Sequence, residues 1–346
     1  MSMRLRTAFL FGLAVITIWF LFLESALLSP FVLAAIFAYI FNPVVDFFFH
    51  KIRLPRLISI IIIYLLILAL LVAFSIFITG KVVSEFSEFQ KVVTTFLSVT
   101  KSQIATLPIY LRSPVEEALL SIDQAKIVSS SFVFRFFPEA ISKIIGLLIF
   151  LFSGFYFLKE GKKMIGNTLQ FVPDRYQPDV KILLSRINSV FGRYLRGQLL
   201  MVSLIALILF ISLSILGVRF ALLLAIFSGI AEIIPFIGPI TAGAIAMLVV
   251  LTTGEVSFGL TPFQGAALVA LIYFLVRQIQ DYLIAPQIMG KIVGLHPLLI
   301  LFAVLAGGRI GGLLGVILAV PIAAAIRIIL EFSLDKINQT QPDSEI

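Results

Sequence analysis

Long runs of apolar residues, separated by short polar connections, cover most of the 346-residue chain. Most of these runs come close to the roughly 20 residues that an α-helix needs to cross the apolar core of a bilayer. They predict complete spans at Thr7–Leu23, Phe31–Phe49, Leu57–Gly80, Ser142–Leu158, Gln198–Gly217 and Pro262–Asp281. Two further apolar stretches, Phe220–Leu251 and His296–Leu330, are interrupted by Gly and Pro. The pattern predicts an all-α, polytopic helical membrane protein with about 7–8 membrane segments, including two interrupted hairpins.

One segment between the third and fourth spans departs from this pattern. Over Lys81–Glu139, acidic and basic residues alternate with apolar residues at helical spacing. This pattern predicts amphipathic helices that lie on the membrane or against the bundle. The chain therefore divides into N-terminal spans (residues 1–80), an extracytoplasmic insert (81–141), a permease core (142–335) and a polar tail (336–346).

The first interrupted stretch contains the sequence Glu-Ile-Ile-Pro-Phe-Ile-Gly-Pro at Glu232–Pro239. Pro235 and Pro239 each lack an N–H group and clash with the carbonyl four residues back, so one regular helix does not accommodate both. Gly238 lies between them and permits a left-handed backbone. In a bilayer, the freed backbone groups need partners in protein or in a water-filled cavity. We therefore expect an internal break here; the alternative is a tight turn at the membrane surface.

The second interrupted stretch, His296–Leu330, would measure about 50 Å as one helix, whereas the bilayer core is about 30 Å thick. Its structural breaks are Gly307, Gly308, Gly311, Gly312 and Pro321. Paired short apolar segments interrupted by Gly or Pro are typical of transporter binding sites. Hairpins re-entering from opposite sides would bring their tips close together at mid-depth. Two alternatives stay open: both stretches cross completely, or the glycines only let helices pack closely.

The composition supports a membrane protein and indicates its orientation. Hydrophobic residues make up 60% of the chain and charged residues 13%, against about half and a quarter in soluble domains. The net charge of +8 comes from Lys and Arg beside the spans, which set orientation and do not indicate nucleic-acid binding. Their distribution predicts that both termini, Lys51–Arg56 and Lys159–Arg196 are cytoplasmic and that the insert is external. We expect a multi-pass protein of the cytoplasmic (inner) membrane of a prokaryote.

The sequence contains no pattern typical of an enzyme. It has no cysteine, and its two histidines, His50 and His296, lie far apart. Neither a His-Glu-x-x-His motif nor a phosphate-binding loop is present. We therefore predict no enzymatic activity, no catalytic residues, no metal site and no cofactor.

Polar and ionisable residues beside the interrupted stretches are the candidates for transport or coupling. Charge is costly in hydrocarbon and normally faces a partner or water. The candidates are Glu232, Asp281, Arg277, Arg309 and Gln198, and the amides of Gln278 and Gln280 add polar groups to the same path. Simpler roles are open for each: Arg277 and Asp281, four residues apart, can satisfy one another, Arg309 can reach the headgroups, and Glu232 can cap or bridge helices.

The C-terminal half resembles the autoinducer-2 exporter family of bacterial and archaeal permeases. The resemblance rests on six short motifs in the family's order, which together cover roughly residues 193–330. They are Tyr194–Gln198 (Tyr-Leu-Arg-Gly-Gln), Ile234–Pro239 (Ile-Pro-Phe-Ile-Gly-Pro), Pro286–Lys291 (Pro-Gln-Ile-Met-Gly-Lys), Gly294–Leu298 (Gly-Leu-His-Pro-Leu), Gly311–Gly315 (Gly-Gly-Leu-Leu-Gly) and Ala319–Pro321 (Ala-Val-Pro). The resemblance implies structural roles for Pro235, Gly238, Pro239, Pro286, Gly290, Gly294, His296 and Pro297, and it carries no catalytic residues.

The resemblance implies a permease that exports autoinducer-2 or exchanges sodium or lithium for protons. Our first hypothesis is therefore an ion-coupled secondary transporter that exports a small polar solute similar to autoinducer-2. The alternative is a monovalent cation/proton antiporter that uses the same acidic residues. A hypothesis of another class is a non-transporting membrane scaffold that binds a partner through the 81–141 insert. The partners expected are the solute, monovalent cations, protons and the lipid bilayer, with a homo-oligomer left open and nucleic acid excluded.

Overall fold

A computed structural model describes residues 25–73, 85, 88, 136–170, 172–288 and 294–340, and these residues form helices and short connections without a β-strand. The N-terminal span Thr7–Leu23, most of the 81–141 insert and the end of the tail lie outside the described residues. The helices are α1 (Ser25–His50), α2 (described over Arg56–Ala73), α3 (Phe136–Leu169), α4 (Gln177–Ile215), α5 (Ala221–Ala231), α6 (Ile237–Thr253), α7 (Pro262–Ile279), α8 (Ala285–Ile288) and α9 (Pro297–Thr340).

The helix lengths confirm the predicted class of polytopic helical membrane protein. Among the described residues, six helices are long and apolar enough to cross a membrane, while α5 and α6 are apolar but shorter. Large apolar side chains cover the outside of these helices; on α2, for example, Leu65, Leu68 and Leu70 are each more than half exposed. Contiguous apolar surface of this kind needs lipid or protein to cover it.

Most of the predicted span Gln198–Gly217 lies within a longer helix, α4, which runs without interruption from Gln177 to Ile215. Pro178 lies in the first turn, where its missing N–H group has no partner to lose. Within this helix the guanidinium of Arg196 donates to the main-chain oxygen of Tyr39 of α1 at 3.0 Å.

The described helices belong to two compact units, and the boundary between them falls within α2 after Tyr64 and within α4 after Arg196. The first unit contains α1, the start of α2, most of α3, the start of α4, and α9. The second unit contains the rest of α2 and α4 together with α5, α6, α7 and α8. Each interrupted hairpin therefore belongs to a different unit.

In the first unit, Arg56 joins three helices. Its Nη1 and Nη2 donate to Asp46 and Asn42 of α1, and its Nε donates to the main-chain oxygen of Leu158 on α3, each at 2.9 Å. The planar guanidinium presents several donors in a fixed geometry that lysine cannot reproduce. This network fixes α2 against α1 and α3.

In the second unit, α5 and α6 form a helical hairpin whose two ends meet. The helix α4 ends in a Schellman motif, in which Val218 donates to Leu213 and Gly217 donates to Ser214. The N–H group of Ser257, which follows α6, donates to the main-chain oxygen of Leu216 at 2.9 Å. The chain thus returns, after α5 and α6, to the point at which it left α4.

Arg219 adds an ionic connection at the same place. Its guanidinium contacts Glu255, which follows α6, at 2.5 Å and Glu88 of the insert at 2.7 Å. The hydrogen bond with Glu88 raises the pKa of Arg219, which therefore stays charged. After this connection, a capping box between Thr261 and Gln264, with Pro262 in the first turn, starts α7.

In the first unit, α9 is itself a hairpin. Gly311 and Gly312 have non-helical backbone angles, and a Cβ atom added to Gly315 would lie only 1.8 Å from the main-chain oxygen of Gly307. Eight residues along a straight helix would separate these two glycines by about 12 Å. Near the other end of the hairpin, Arg327 donates to the main-chain oxygen of Gly294. The chain therefore reverses at Gly311–Gly312, inside the predicted break.

Candidate functional site

The tip of the α5–α6 hairpin lies at the predicted break. Its turn is formed by Phe236, whose φ of 66° and ψ of −53° are those of a classic γ-turn, and Ile237 donates to the main-chain oxygen of Pro235 at 2.8 Å across it. The rare left-handed residue is thus Phe236, whereas Gly238 has no positive φ. Gly238 serves a different purpose, because a Cβ atom there would lie 1.8 Å from the main-chain oxygen of Ala231.

Strained turns of this kind cost of the order of 1–3 kcal/mol and cluster at functional sites, where the surrounding structure holds them in place. Here the surrounding structure includes Arg277 of α7, whose guanidinium lies 5.8 Å from the centroid of the Phe236 ring. This distance permits a cation–π interaction. The turn therefore presents its aromatic ring to a charged residue of the next long helix.

Glu232, the residue that follows α5, is the acidic centre of this tip. It is 7% exposed, and its Oε1 atom accepts hydrogen bonds from Gln280 Nε2 at 2.5 Å and from Arg277 Nη1 at 3.4 Å. A carboxylate withdrawn from water needs charged or hydrogen-bonding partners of this kind. Both partners come from the end of α7, so the hairpin tip and α7 share one polar cluster.

Arg277 is shared between two carboxylates. Its Nε atom donates to Asp281 Oδ2 at 2.8 Å, one helical turn further along, while its Nη1 faces Glu232. The Asp281 side chain is 43% exposed, against 8% for that of Glu232. The same guanidinium therefore connects a buried carboxylate to an exposed one.

A local irregularity places Gln280 and Asp281. The chain leaves the α-helical pattern at the end of α7 and forms a π-helical turn over Gln280–Ile284. Such π-bulges are rare and occur frequently at functional sites. In this turn Gln280 is 5% exposed and faces Glu232.

The helix α4 completes the cluster. The amide of Gln198 donates to the main-chain oxygen of Glu232 at 3.0 Å. This oxygen lies at the end of α5, where the helix leaves carbonyl groups without a partner of its own. Nearby, Gly229 of α5 packs directly against Ala206 of α4, so the two helices are in close contact.

The structure brings four of the predicted candidates together, namely Glu232, Asp281, Arg277 and Gln198. The fifth, Arg309, is exposed in α9 and belongs to the other compact unit. Pro235, Gly238 and Pro239 form the tip of the first hairpin, and Gly307, Gly308, Gly311 and Gly312 form the tip of the second. Pro321 lies inside α9 and is fully buried.

The sequence did not indicate two members of the site, Ser228 and Tyr273, and it gave Gln280 no more weight than Gln278. Gln280 is a direct partner of Glu232, whereas Gln278 is not among the side chains that contact it. The hydroxyl groups of Ser228 and Tyr273, one turn before Glu232 and Arg277, lie 2.7 Å apart. A Ser and a Tyr inside apolar runs give no signal of their own; only the recurring separation of 45 residues links the two helices.

The described residues contain no group of three or more His, Cys, Asp or Glu side chains that could hold a metal ion. In this part of the chain the chemistry of the cluster is thus that of two carboxylates, one guanidinium and several neutral hydrogen-bonding groups. Such a set can form hydrogen bonds, and protonation of a carboxylate would change its charge.

Apolar helices of membrane length and two helical hairpins define a multi-pass helical membrane protein. The sequence profile described as AI-2E family transporter matches residues 9–335. The chain therefore belongs to the AI-2E transporter family, which confirms the resemblance seen in its motifs.

Individual relatives agree with this assignment. The chain is 32% identical over 325 residues to "Putative transport protein YueF" of Bacillus subtilis (strain 168), covering 89% of this chain and 84% of that protein. It is 24% identical over 336 residues to "Putative transport protein YtvI" of the same organism, covering 89% and 88%. A "Putative transport protein" of Methanothermobacter thermautotrophicus is 28% identical over 166 residues, covering 48% and 47%.

Proposed function

We propose that this protein is a secondary transporter of the cytoplasmic membrane that exports a small polar solute, with ion coupling at Glu232. The observation that carries the proposal is the buried Glu232 carboxylate, held by Gln280 and Arg277 at the tip of a broken helix pair. Ionisable residues within membrane segments mark substrate and ion pathways. Membership in a transporter family fits this role and a non-enzymatic protein.

The dimensions of the hairpins support a re-entrant arrangement. The 11 residues of α5 extend about 16 Å, and residues 297–310 of α9 about 21 Å, against a bilayer core of about 30 Å. The ends of the α5–α6 hairpin meet at Leu216 and Ser257, so both would lie at the same membrane surface. Glu232 would then lie inside the apolar layer, where a fixed charge needs its partners most.

The sharing of Arg277 suggests how coupling would work. While Glu232 is ionised, the guanidinium interacts with both carboxylates. When a proton or another cation neutralises Glu232, its attraction for Arg277 disappears and the guanidinium keeps only Asp281. A ligand that neutralises Glu232 thus weakens the contact between Arg277 of α7 and the hairpin tip. Binding of the ligand would in this way favour movement of the hairpin tip relative to α7.

A second candidate function is monovalent cation/proton antiport, and the charge of the cluster favours it. Glu232, Asp281 and Arg277 sum to one net negative charge, which a monovalent cation would balance. Proteoliposomes with an internal pH-sensitive dye separate the two functions: addition of sodium moves protons in the antiporter, whereas the exporter responds only to its solute. The scaffold hypothesis predicts instead that deletion of the 81–141 insert abolishes the cellular role of the protein, whereas mutations in the hairpins leave that role intact.

Replacement of Pro235 and Pro239 by Ala is expected to reduce transport more strongly than folding. Alanine restores the missing N–H groups and removes the ring clashes, so a straighter helix becomes accessible and the γ-turn at Phe236 loses its constraint. Transport rates and membrane abundance are to be compared with those of Pro173→Ala, outside the hairpins. Normal transport by the double variant at equal abundance would show that the break has no functional role.

Single cysteines test the predicted topology cleanly, because the chain has no cysteine. We expect Lys163→Cys to react with a membrane-impermeant maleimide from the cytoplasmic side and Phe258→Cys from the external side. Phe258 is 74% exposed in the connection after α6. Reaction of both positions from the same side would contradict the orientation that the Lys and Arg distribution predicts.

A further inference from the structure

Side chains of α5 and α7 meet at a regular spacing along the two helices. The pairs Ser228–Tyr273 and Glu232–Arg277 both join residues that are 45 positions apart. One turn earlier, the equivalent residues Leu224 and Val269 belong to the same buried apolar cluster. Successive pairs are four residues, or about one helical turn, apart on each helix, so α5 and α7 run in the same direction with matched turns.

The Ser228–Tyr273 contact is directional. Ser228 Oγ lies 2.7 Å from the main-chain oxygen of Leu224 and 2.7 Å from the Tyr273 hydroxyl. A serine hydroxyl has one proton and two acceptor sites. Both contacts are satisfied when Ser228 donates to Leu224 and Tyr273 donates to Ser228. Tyr273 is therefore attached to α5 by its own proton, at a site where Ser228 is 3% exposed.

Close packing also holds α7 against the hairpin, because the ring of Tyr273 lies against Gly243 of α6. On the side away from Glu232, the hairpin packs against α7 through Leu224, Ala246, Val250 and Val269. Hydrophobic attraction is non-directional, whereas an O–H···O hydrogen bond requires a separation of about 2.5–3.0 Å and a near-linear geometry. The hydroxyl pair is thus the nearest directional contact between α5 and α7 outside the charged cluster.

The charged cluster depends on that register. Arg277 Nη1 reaches Glu232 at 3.4 Å, close to the limit of a hydrogen bond. A slip of α7 by one residue would move Arg277 by about 1.5 Å along the axis and rotate it by about 100°. A slip of this size would remove Arg277 from Glu232, while Arg277 and Asp281, on the same stretch of chain, would stay together.

We propose that Tyr273 and Ser228 are positioning residues, whose hydrogen bond holds α5 and α7 in the register that places Arg277 and Gln280 on Glu232. The consequence for transport rests on the proposed function of Glu232, but the register itself does not. Tyr273→Phe keeps the ring and removes only the donor, whereas Ser228→Ala removes the acceptor together with the hydrogen bond that Ser228 donates to Leu224. Both variants act on Glu232 through the helices, without touching it.

The register can be measured without a transport assay. Spin labels on Ile230→Cys and Ile279→Cys, two exposed positions near the ends of α5 and α7, report the separation of the helices by pulsed electron paramagnetic resonance. We expect Tyr273→Phe and Ser228→Ala to broaden the distance distribution or displace its maximum, by about 1.5 Å along the axis for each residue of slip. Matched controls are Tyr282→Phe, at a tyrosine 75% exposed, and Ser203→Ala, at a serine bonded only to its own helix.

Transport provides the second readout. A purely structural role would lower the amount of folded protein and leave the pH profile of ion-coupled transport in place, whereas misplacement of Arg277 displaces the profile. Unchanged distance distributions in both Tyr273→Phe and Ser228→Ala would overturn the inference, whether or not Glu232 couples transport to ions. Altered distances in the two variants, with Glu232→Gln transporting normally, would uphold the register and overturn only the coupling role. If one variant fails to fold, the other decides.

Discussion

Glu232→Gln is expected to fold and insert normally but to lose ion-coupled transport, so that the gradient-dependent part of its rate falls to that of protein-free vesicles. Glutamine keeps the shape of the side chain and a carbonyl oxygen that can accept the Gln280 hydrogen bond seen at Oε1. It removes both the charge that attracts Arg277 and the group that can bind a proton or cation. Initial transport rates in proteoliposomes, measured across a range of pH, check this expectation.

The matched control is Glu160→Gln, because Glu160 is an exposed acid in a surface pair with Lys159 at 3.6 Å. Exposed pairs of this kind contribute little, so Glu160→Gln should transport like the wild type. If Glu232 only bridged neighbouring helices, Gln would serve nearly as well as Glu and the pH dependence would persist. Wild-type rates with an unchanged pH profile would therefore remove Glu232 from the mechanism.

The second large effect is expected at the tip of the α9 hairpin, where Gly315→Ala should destabilise the protein by about 2 kcal/mol or more. An alanine Cβ would lie 1.8 Å from the main-chain oxygen of Gly307. A backbone atom cannot move aside as a flexible side chain can, so the two arms of the hairpin must separate. The midpoint of thermal unfolding in detergent, followed by the loss of monodisperse protein, measures the effect.

Gly311→Ala is the control for this substitution. Gly311 lies four residues away, has a φ of −125° that L residues readily adopt, and has no atom within 4 Å of an added Cβ. It should unfold close to the wild-type temperature. Equal unfolding temperatures for Gly311→Ala and Gly315→Ala would show that the two arms do not pack closely in the membrane protein.

The sequence was sufficient to locate both hairpins, because Pro and Gly act on the backbone locally. Two prolines four residues apart cannot share a regular helix, and the turn duly occurs between Pro235 and Pro239. The local pattern did not indicate which residue takes a positive φ, because Gly238 permits one but Phe236 has it. The ring of Phe236 lies 5.8 Å from the Arg277 guanidinium, and a local sequence pattern does not show such a tertiary contact.

The charged residues of the site could be predicted from the sequence. Glu232, Arg277 and Asp281 stood out because ionisable side chains are rare in apolar runs. Ser228 and Tyr273 did not, since a hydroxyl in such a run is as often bonded to its own helix. Their pairing follows from the register of α5 and α7, which is a property of packing and not of either segment alone. The hydrogen bond from Arg196 of α4 to the main chain of Tyr39 of α1 is likewise a property of packing.

The most direct test of the central claim is transport by the purified protein in sealed vesicles, with a panel of small polar solutes and with and without an imposed pH gradient. The account predicts that at least one solute, or sodium itself, moves faster when the gradient is present, and that Glu232→Gln abolishes the gradient-dependent part. Movement that is the same with and without the gradient, in both the wild type and Glu232→Gln, would contradict an ion-coupled transporter with its coupling site at Glu232.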